Sequence, residues 1–524
     1  MDKVDFDLIL DREFDALEVK VDVSDGELLS KKYPEVADGV DGTARSHARK
    51  VVKELRRGGA HGLEKGIIYL PGEPTRQFEN SDQGPELRQR RYFYYITGVD
   101  LADCAVTYEI SRDRLTVWIP FVEPRQALWF GTVPDAAQAL QLYDVDDVRY
   151  TKDLTRFLNI HLDRSTTLFL LSKDQSPGIA VDTSSLRPAM DRARVIKDAH
   201  EIALIRRANA ISSAAHREIA RHLLRLRNEQ DIQAIFLAAC TARGAHSQAY
   251  PIIAGAGPNA ATLHYGANDQ PLRGRDLVVV DAGCEFRCYA SDITRTLPIS
   301  GRFTRESGRI HDIVQRMQDE CIAAVRPGVK FYELHLLAAS IAVDGLLELG
   351  ILKGERDAVA ASRVVSAFFP HGLGHHVGLE VHDVTGDERL LYARGGQRVE
   401  AGKREILMPL ELAALGSSGS GSSLVRSEGM SVGAGDDRQT LQPGMIVTVE
   451  PGIYFHRDYI KGYFLSRPEF ARYIDTEVLE SYYSVGGVRI EDDILVTRGG
   501  YENLTTAPKG EEMLDIINGT YEMV

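Results

Sequence analysis

Along the first part of the chain, apolar residues gather in short runs separated by polar and helical stretches. Residues 66–70 (GIIYL), 114–122 (RLTVWIPFV) and 166–171 (TTLFLL) have the length and the β-branched and aromatic content that predict strands. Strands alternating with helical patterns predict an α/β domain. The rhythm changes near residues 185–195. From Asp198 onward, Ile202, Ile205, Ile211, Ala215, Ile219 and Leu223 recur at helical spacing and predict one long amphipathic helix. A second helix is predicted over 310–325, with Ile313, Val314, Met317, Cys321 and Ile322 on one stripe and Arg326-Pro327-Gly328 to stop it. A third follows over 332–349. Strand-like runs at 276–282, 291–299, 445–450 and 488–496 make this second part mixed as well. The division falls near residue 195, giving an α/β domain over 1–194 and an α+β domain over 195–524.

Length supports that division, because a chain of 524 residues exceeds the roughly 250 to 300 residues at which single cores stop growing. A formal net charge of -14 argues against a nucleic-acid partner, which calls for clustered Lys and Arg. Residues 1–22 alternate acidic and apolar side chains without a basic start or an apolar core, and no run approaches about 18 apolar residues. Neither a secretory signal nor a membrane partner is therefore expected, and the expected location is cytoplasmic. Cys104, Cys240, Cys284, Cys288 and Cys321 are scattered and odd in number, which suits a reducing compartment. Cys284 and Cys288 lack a second pair at zinc-ribbon spacing and are read as structural. Residues 416–423 (GSSGSGSS), inside a Gly/Ser-rich insert at about 403–437, have a composition that cannot bury enough to order itself. Candidate site residues lie on both sides of this insert, so it is read as a loop of the second domain.

The candidate chemistry is in five phrases. Val278-Val279-Val280-Asp281 is a strand ending in a carboxylate, and Asp292 follows after a turn that would bring the two acids together. A strand-end aspartate alone is a common turn residue, yet burying an unpaired charge behind three valines costs several kcal/mol. Residues 370–383 (PHGLGHHVGLEVHD) hold His371, His375, His376 and His382. His371 and His375 have the spacing of a helical zinc motif, but Gly372 and Gly374 stand where that motif needs helix formers. The segment is read as a glycine loop running into a strand. Glu450 and Glu491 each sit on or at the end of an apolar strand, where singly they could cap, pair or face solvent. Four carboxylates and an imidazole together suit two oxygen-preferring divalent ions, Mn2+ before Zn2+ or Co2+, able to share a bridging hydroxide.

These phrases, DAG with Asp281, SDITRT with Asp292, HGLGHHVGLEVHD with His375, LQPGMIVTVEPGIY with Glu450 and GGVRIEDD with Glu491, resemble the pita-bread metallopeptidases in the order that family has them. Residues 88–99 (RQRRYFYYITGV) resemble the signature of the α/β domain that precedes the catalytic domain in the proline-specific branch, aminopeptidase P and prolidase. The resemblance covers most of the chain and is closest to the fungal type of Xaa-Pro aminopeptidase. It implies a pita-bread catalytic domain and removal of the N-terminal residue from peptides with proline second. It also implies two metal ions on Asp281, Asp292, His375, Glu450 and Glu491, and a homodimer. Glu450 would shuttle a proton, with His264, His371 and His382 around the substrate. His376 has no catalytic counterpart. Arg489, two residues before Glu491, is expected to pair with a site acid or to serve the fold alone. Arg438 lies near the place of a prolidase arginine that binds a dipeptide carboxylate. A prolidase with the same metals, or a metal-free binding homologue, are the alternatives.

Overall fold

The computed structural model describes residues 43–163, 165–175, 181–391 and 438–520. Its first part is a six-stranded sheet of β1 (Gly66–Pro71), β2 (Ala105–Glu109), β3 (Arg114–Ile119), β4 (Asp147–Tyr150), β5 (Thr167–Phe169) and β6 (Val181–Asp182). The order is β4-β3-β2-β1-β5-β6, antiparallel between β1, β2 and β3 and parallel at both flanks. The three apolar runs of the sequence are β1, β3 and β5. Helices α1 (Thr43–Arg57), α2 (Arg91–Thr97) and α3 (Leu186–Val195) cover one face through Val51, Leu55, Phe93, Ile96, Ala189 and Met190. Trp118, Phe157 and Leu168 pack on the other face.

The long helix predicted from Asp198 is α4 (Ala199–His222). It starts there because the Asp198 side chain accepts from the Glu201 N–H while the Glu201 side chain accepts from the Asp198 N–H, which satisfies two otherwise orphaned amides. Helix α5 (Glu229–Ala242) packs beside it. The two predicted later helices are α6 (Arg305–Ala324) and α7 (Phe331–Glu348), whose facing residues Val314, Met317, Cys321, Leu334, Ala338 and Ala342 belong to one core. Helix α8 (Gly510–Asn518) closes the fold against α4.

Short antiparallel strands lie between these helix pairs. Strands β7 (Ile253–Ala256), β8 (Leu277–Asp281) and β11 (Thr294–Pro298) form one sheet, with β9 (Glu285–Phe286) and β10 (Tyr289–Ala290) as a small hairpin in the connection. Strands β12 (Ile446–Val449), β15 (Asp492–Thr497) and β16 (Gly500–Asn503) form another, and β13 (Gly452–Tyr454) pairs with β14 (Gly487–Arg489). The strand predicted over 488–496 is thus two strands in two sheets. Its partner runs through Glu450-Pro451, and a proline has no N–H to continue a ladder, so both strands break together and Glu491 instead bridges to Thr294. The expected glycine loop running into a strand also differs: residues 370–391 remain a loop, touching the sheet through a bridge between His376 and Val447.

All five cysteines are free and buried. Among the described residues no helix is long and apolar enough to cross a membrane. The Gly/Ser-rich insert lies outside the described residues. The chain departs and returns beside it at neighbouring points: Arg438 Nε donates to Leu391 O at 3.1 Å and Gln439 N donates to Arg389 O at 2.9 Å.

Candidate metal centre

Three backbone devices bring the acids and imidazoles together. Pairing of β8 with β11 sets Thr294 opposite Asp281, and Ala282 N donates to Ile293 O at 3.0 Å, so the turn delivers Asp281 and Asp292 to one end of the sheet. The glycine loop runs beside β12, with Thr448 N donating to His375 O and Glu450 N to Leu373 O, both at 2.8 Å. A Cβ on Gly374 would overlap the Thr448 carbonyl oxygen, which explains the glycine. Glu491 occupies the break between β14 and β15, its N–H donating to Thr294 O at 3.1 Å.

Ligand atoms of Asp292, His375 and Glu491 all lie within 4.8 Å of one another. His375 Nε2 is 3.4 Å from Asp292 Oδ2 and 3.3 Å from Glu450 Oε1. Its Nδ1 donates to the His376 carbonyl at 3.1 Å, which turns Nε2 toward the two carboxylates. Thr448 Oγ1 accepts from His375 N at 3.0 Å and donates to Glu450 Oε1 at 3.3 Å. Asp281 Oδ2 accepts from Arg489 Nη2 at 2.6 Å, and Glu491 Oε2 accepts from Thr294 Oγ1 at 2.6 Å.

The charges do not balance. Among the described residues, Asp281, Asp292, Glu450 and Glu491 face Arg489 and His375 as cations, and Asp281 Oδ1 and Glu491 Oε1 are buried without a hydrogen-bond partner. Buried oxygens of this kind need a donor or a cation. Burial, with the charges of neighbouring acids, pushes Glu491 well above the carboxylate range and Asp292 to about 6. For Glu450 burial acts upward too, but the hydrogen bond and charge of His375 outweigh it and hold the group at about 2. The acceptor-only oxygens and the single imidazole nitrogen fit hard or borderline divalent cations.

A second set of groups is chained to this cluster. Arg489 Nη1 donates to the Tyr454 hydroxyl at 2.9 Å, and that hydroxyl lies 2.9 Å from His371 Nε2. His371 Nδ1 donates to the Gly372 carbonyl at 2.8 Å, and burial lowers its pKa. The ring is therefore neutral and Nε2 accepts the Tyr454 proton. The His382 ring stands 4.1 Å from that of His375, whose positive charge, with burial, holds His382 down at about 4. His264 is exposed on a turn, where its charge is felt by His371 and His382. His376 is fully buried against Gln439, at 2.5 Å. Arg438 lies over the Tyr332 ring at 3.8 Å, and its Nε donates to Leu391 O.

Sequence reading missed Tyr250, whose buried hydroxyl is turned toward Asp292, with Asp281 and Glu491 also close. It lies in the phrase Ala249-Tyr250-Pro251, which carries no chemical signal. It also missed Asp493, whose Oδ2 accepts from the Asp292 backbone N–H at 3.0 Å. A third consecutive acid heading a strand of apolar residues was the available clue.

Comparison with known proteins agrees with this architecture over nearly the full length. Residues 203–498 match metallopeptidase family M24, and residues 45–169 match the aminopeptidase P N-terminal domain. A probable Xaa-Pro aminopeptidase of Metarhizium acridum is 54% identical, the match covering 98% of this chain and 99% of the relative. Another, from Colletotrichum graminicola, is 53% identical over the same shares. The solved structure of Pseudomonas aeruginosa aminopeptidase PepP superposes with a TM-score of 0.70 at 26% identity, covering 91% of this chain and 98% of that one. A cluster of buried acids short of cations, in a chain related along almost its entire length to such enzymes, leads to one conclusion: this chain belongs to metallopeptidase family M24.

Proposed function

We propose that the chain is an Xaa-Pro aminopeptidase, removing the N-terminal residue from peptides with proline in second position, with residues 1–194 as its N-terminal and 195–524 as its catalytic domain. The observation that carries this reading is the cation deficit of the acid cluster, in a chain 54% identical to a probable Xaa-Pro aminopeptidase across 98% of its length. Asp281, Asp292, His375, Glu450 and Glu491 would hold two divalent ions, Mn2+ in preference to Zn2+ or Co2+. Such ions, when bound, lower the pKa of water toward neutrality and polarise the scissile carbonyl.

The chain's own groups supply the rest. Glu450, ionised and hydrogen-bonded by Thr448, takes the proton of the attacking water and returns it to the leaving nitrogen of proline. His382, neutral near pH 7, donates toward the developing oxyanion or the substrate carbonyl. His371, its one N–H held by Gly372, offers Nε2 as an acceptor for proton transfer, and exposed His264 meets the incoming peptide. Arg489 holds Asp281 and, through Tyr454, orients His371. The enzyme is proposed to act in the cytoplasm as a homodimer.

A prolidase would use the same ligands and differ in closing off the far end of the substrate. Arg438, stacked on Tyr332, is the residue that reading would need. Turnover of a dipeptide and of a tripeptide tests the choice. With Mn2+ added, Xaa-Pro-Xaa tripeptides are cleaved after the first residue, and chelation abolishes cleavage. Hydrolysis of Gly-Pro with the tripeptide left intact would refute the proposal.

A further inference from the structure

The loop from His376 to Asp383 is closed by buried charge, and the cations come from the junction ahead of the catalytic helices. Val377 N donates to Ile446 O at 3.0 Å and Asp383 N donates to His376 O at 2.9 Å, so the loop starts on β12 beside His375 and its far end closes back on that start. The Asp383 carboxylate, 1% exposed, accepts from Arg194 Nη2 at 2.6 Å and from Lys197 Nζ at 3.1 Å. Arg194 lies in the last turn of α3, and Lys197 precedes α4. The loop folds back so far that a Cβ on Gly378 would overlap Asp383 Oδ2. On the other side of His382, the more exposed Glu380 is held by Arg88 and Arg91. Two of its neighbours within three residues are thus tied to cations, while the His382 ring itself stands free to face His375 at 4.1 Å.

We propose that Asp383, clamped by Arg194 and Lys197, is a positioning residue that sets His382 against the metal site, so that the junction ahead of α4 tunes catalysis without touching substrate. A carboxylate buried between two cations is rigid, because moving it leaves buried charges unpaired. An imidazole one peptide bond away inherits that rigidity. Misplacement of a reacting group by about 1 Å costs about 100-fold in rate.

The inference rests on His382 acting on substrate, and the test separates the two. Gly378→Ala, Asp383→Asn and His382→Ala are compared, singly and with each of the first two added to the third. Tripeptide turnover, Mn2+ stoichiometry and affinity by calorimetry, and thermal midpoint are read for each. Expected are losses of about 10- to 100-fold in kcat for Gly378→Ala and Asp383→Asn with Mn2+ binding unchanged, and no further loss from either in the His382→Ala background. Gly378→Ala retains every charge and covers the case in which Asp383→Asn folds poorly. Losses that multiply in the doubles, or that track lost Mn2+, overturn the inference. If His382→Ala alone keeps full turnover, it is the role assigned to His382 that fails. A crystal structure of Gly378→Ala with the His382 ring unmoved overturns the positioning whatever the kinetics.

Discussion

Two buried clusters of imidazole and carboxylate stand in the described residues, and they differ in how their charges close. Where α1 meets the start of α4, His47 Nε2 lies 2.7 Å from Asp198 Oδ2 and 3.6 Å from Glu201 Oε2. Every oxygen there has a donor: Asp198 Oδ1 accepts from Glu201 N, Glu201 Oε2 from Asp198 N, and Glu201 Oε1 from the Tyr289 hydroxyl. His47 Nδ1 donates to Tyr95 O, and the charge of Lys50 offsets the acids. In the cluster of Asp292, His375 and Glu491, by contrast, Asp281 Oδ1 and Glu491 Oε1 have no donor. Both clusters have metal-like spacing. What separates an ion-pair joint from a metal site is whether protons already on the protein suffice.

That contrast is open to attack at several points. The largest effect is expected of Asp292→Ala, which should lower kcat/KM by about 1,000-fold or more, about 4 kcal/mol, and remove Mn2+ binding seen by calorimetry. His47→Gln should leave Mn2+ stoichiometry untouched and cost about 3 kcal/mol of stability instead, measured by chemical denaturation. If it also lost metal, the division between the clusters would be wrong.

The His47 cost should depend on pH. Burial lowers its affinity for a proton, but Asp198 and Glu201 outweigh that and raise its pKa above 6.5. A base whose folded pKa is raised contributes stability that is fully present below pH 6.5 and fades as pH climbs through the folded value. The gap between wild type and His47→Gln should therefore narrow above neutrality. His376 has the opposite sign. Burial holds it at about 4, so the unfolded chain takes up the proton first, and stability should fall as pH drops from 6.5 toward 4. Smallest among these is Tyr454→Phe. It removes one hydroxyl shared by Arg489 and His371 and should cost about 1 to 2 kcal/mol, read as a roughly tenfold fall in kcat with metal affinity nearly unchanged.

Much of the site was legible because its signals are local. Three valines before Asp281 announce a strand that ends in a charge, and the density of imidazoles between 371 and 382 survives any assignment of secondary structure. Asp198 and Glu201 announce the start of α4 by their spacing alone. Non-local facts were not legible. The interruption at Ile490-Glu491 is dictated by Pro451 on the paired strand, and the partner of Asp198 is a histidine in α1. Tyr250 reaches the acids only through the fold, where Ala249 N donates to Gly283 O two residues beyond Asp281. The proline that splits the hairpin also frees Glu450 and Glu491 from alternation, so both side chains turn to the same place.

The paired hydrogen bonds at residues 389–391 and 438–439 have a practical reading. A chain that leaves and re-enters through one gate places almost no demand on the length of what lies between. Doubling such an excursion adds only about 0.6 kcal/mol of closure entropy. Here the departure point follows the loop that bears His382, so a fluorescent reporter or affinity tag grafted between 391 and 438 should leave these two hydrogen bonds and the site residues in place. The same gate is where descendants of this chain can lengthen or shorten at little thermodynamic penalty.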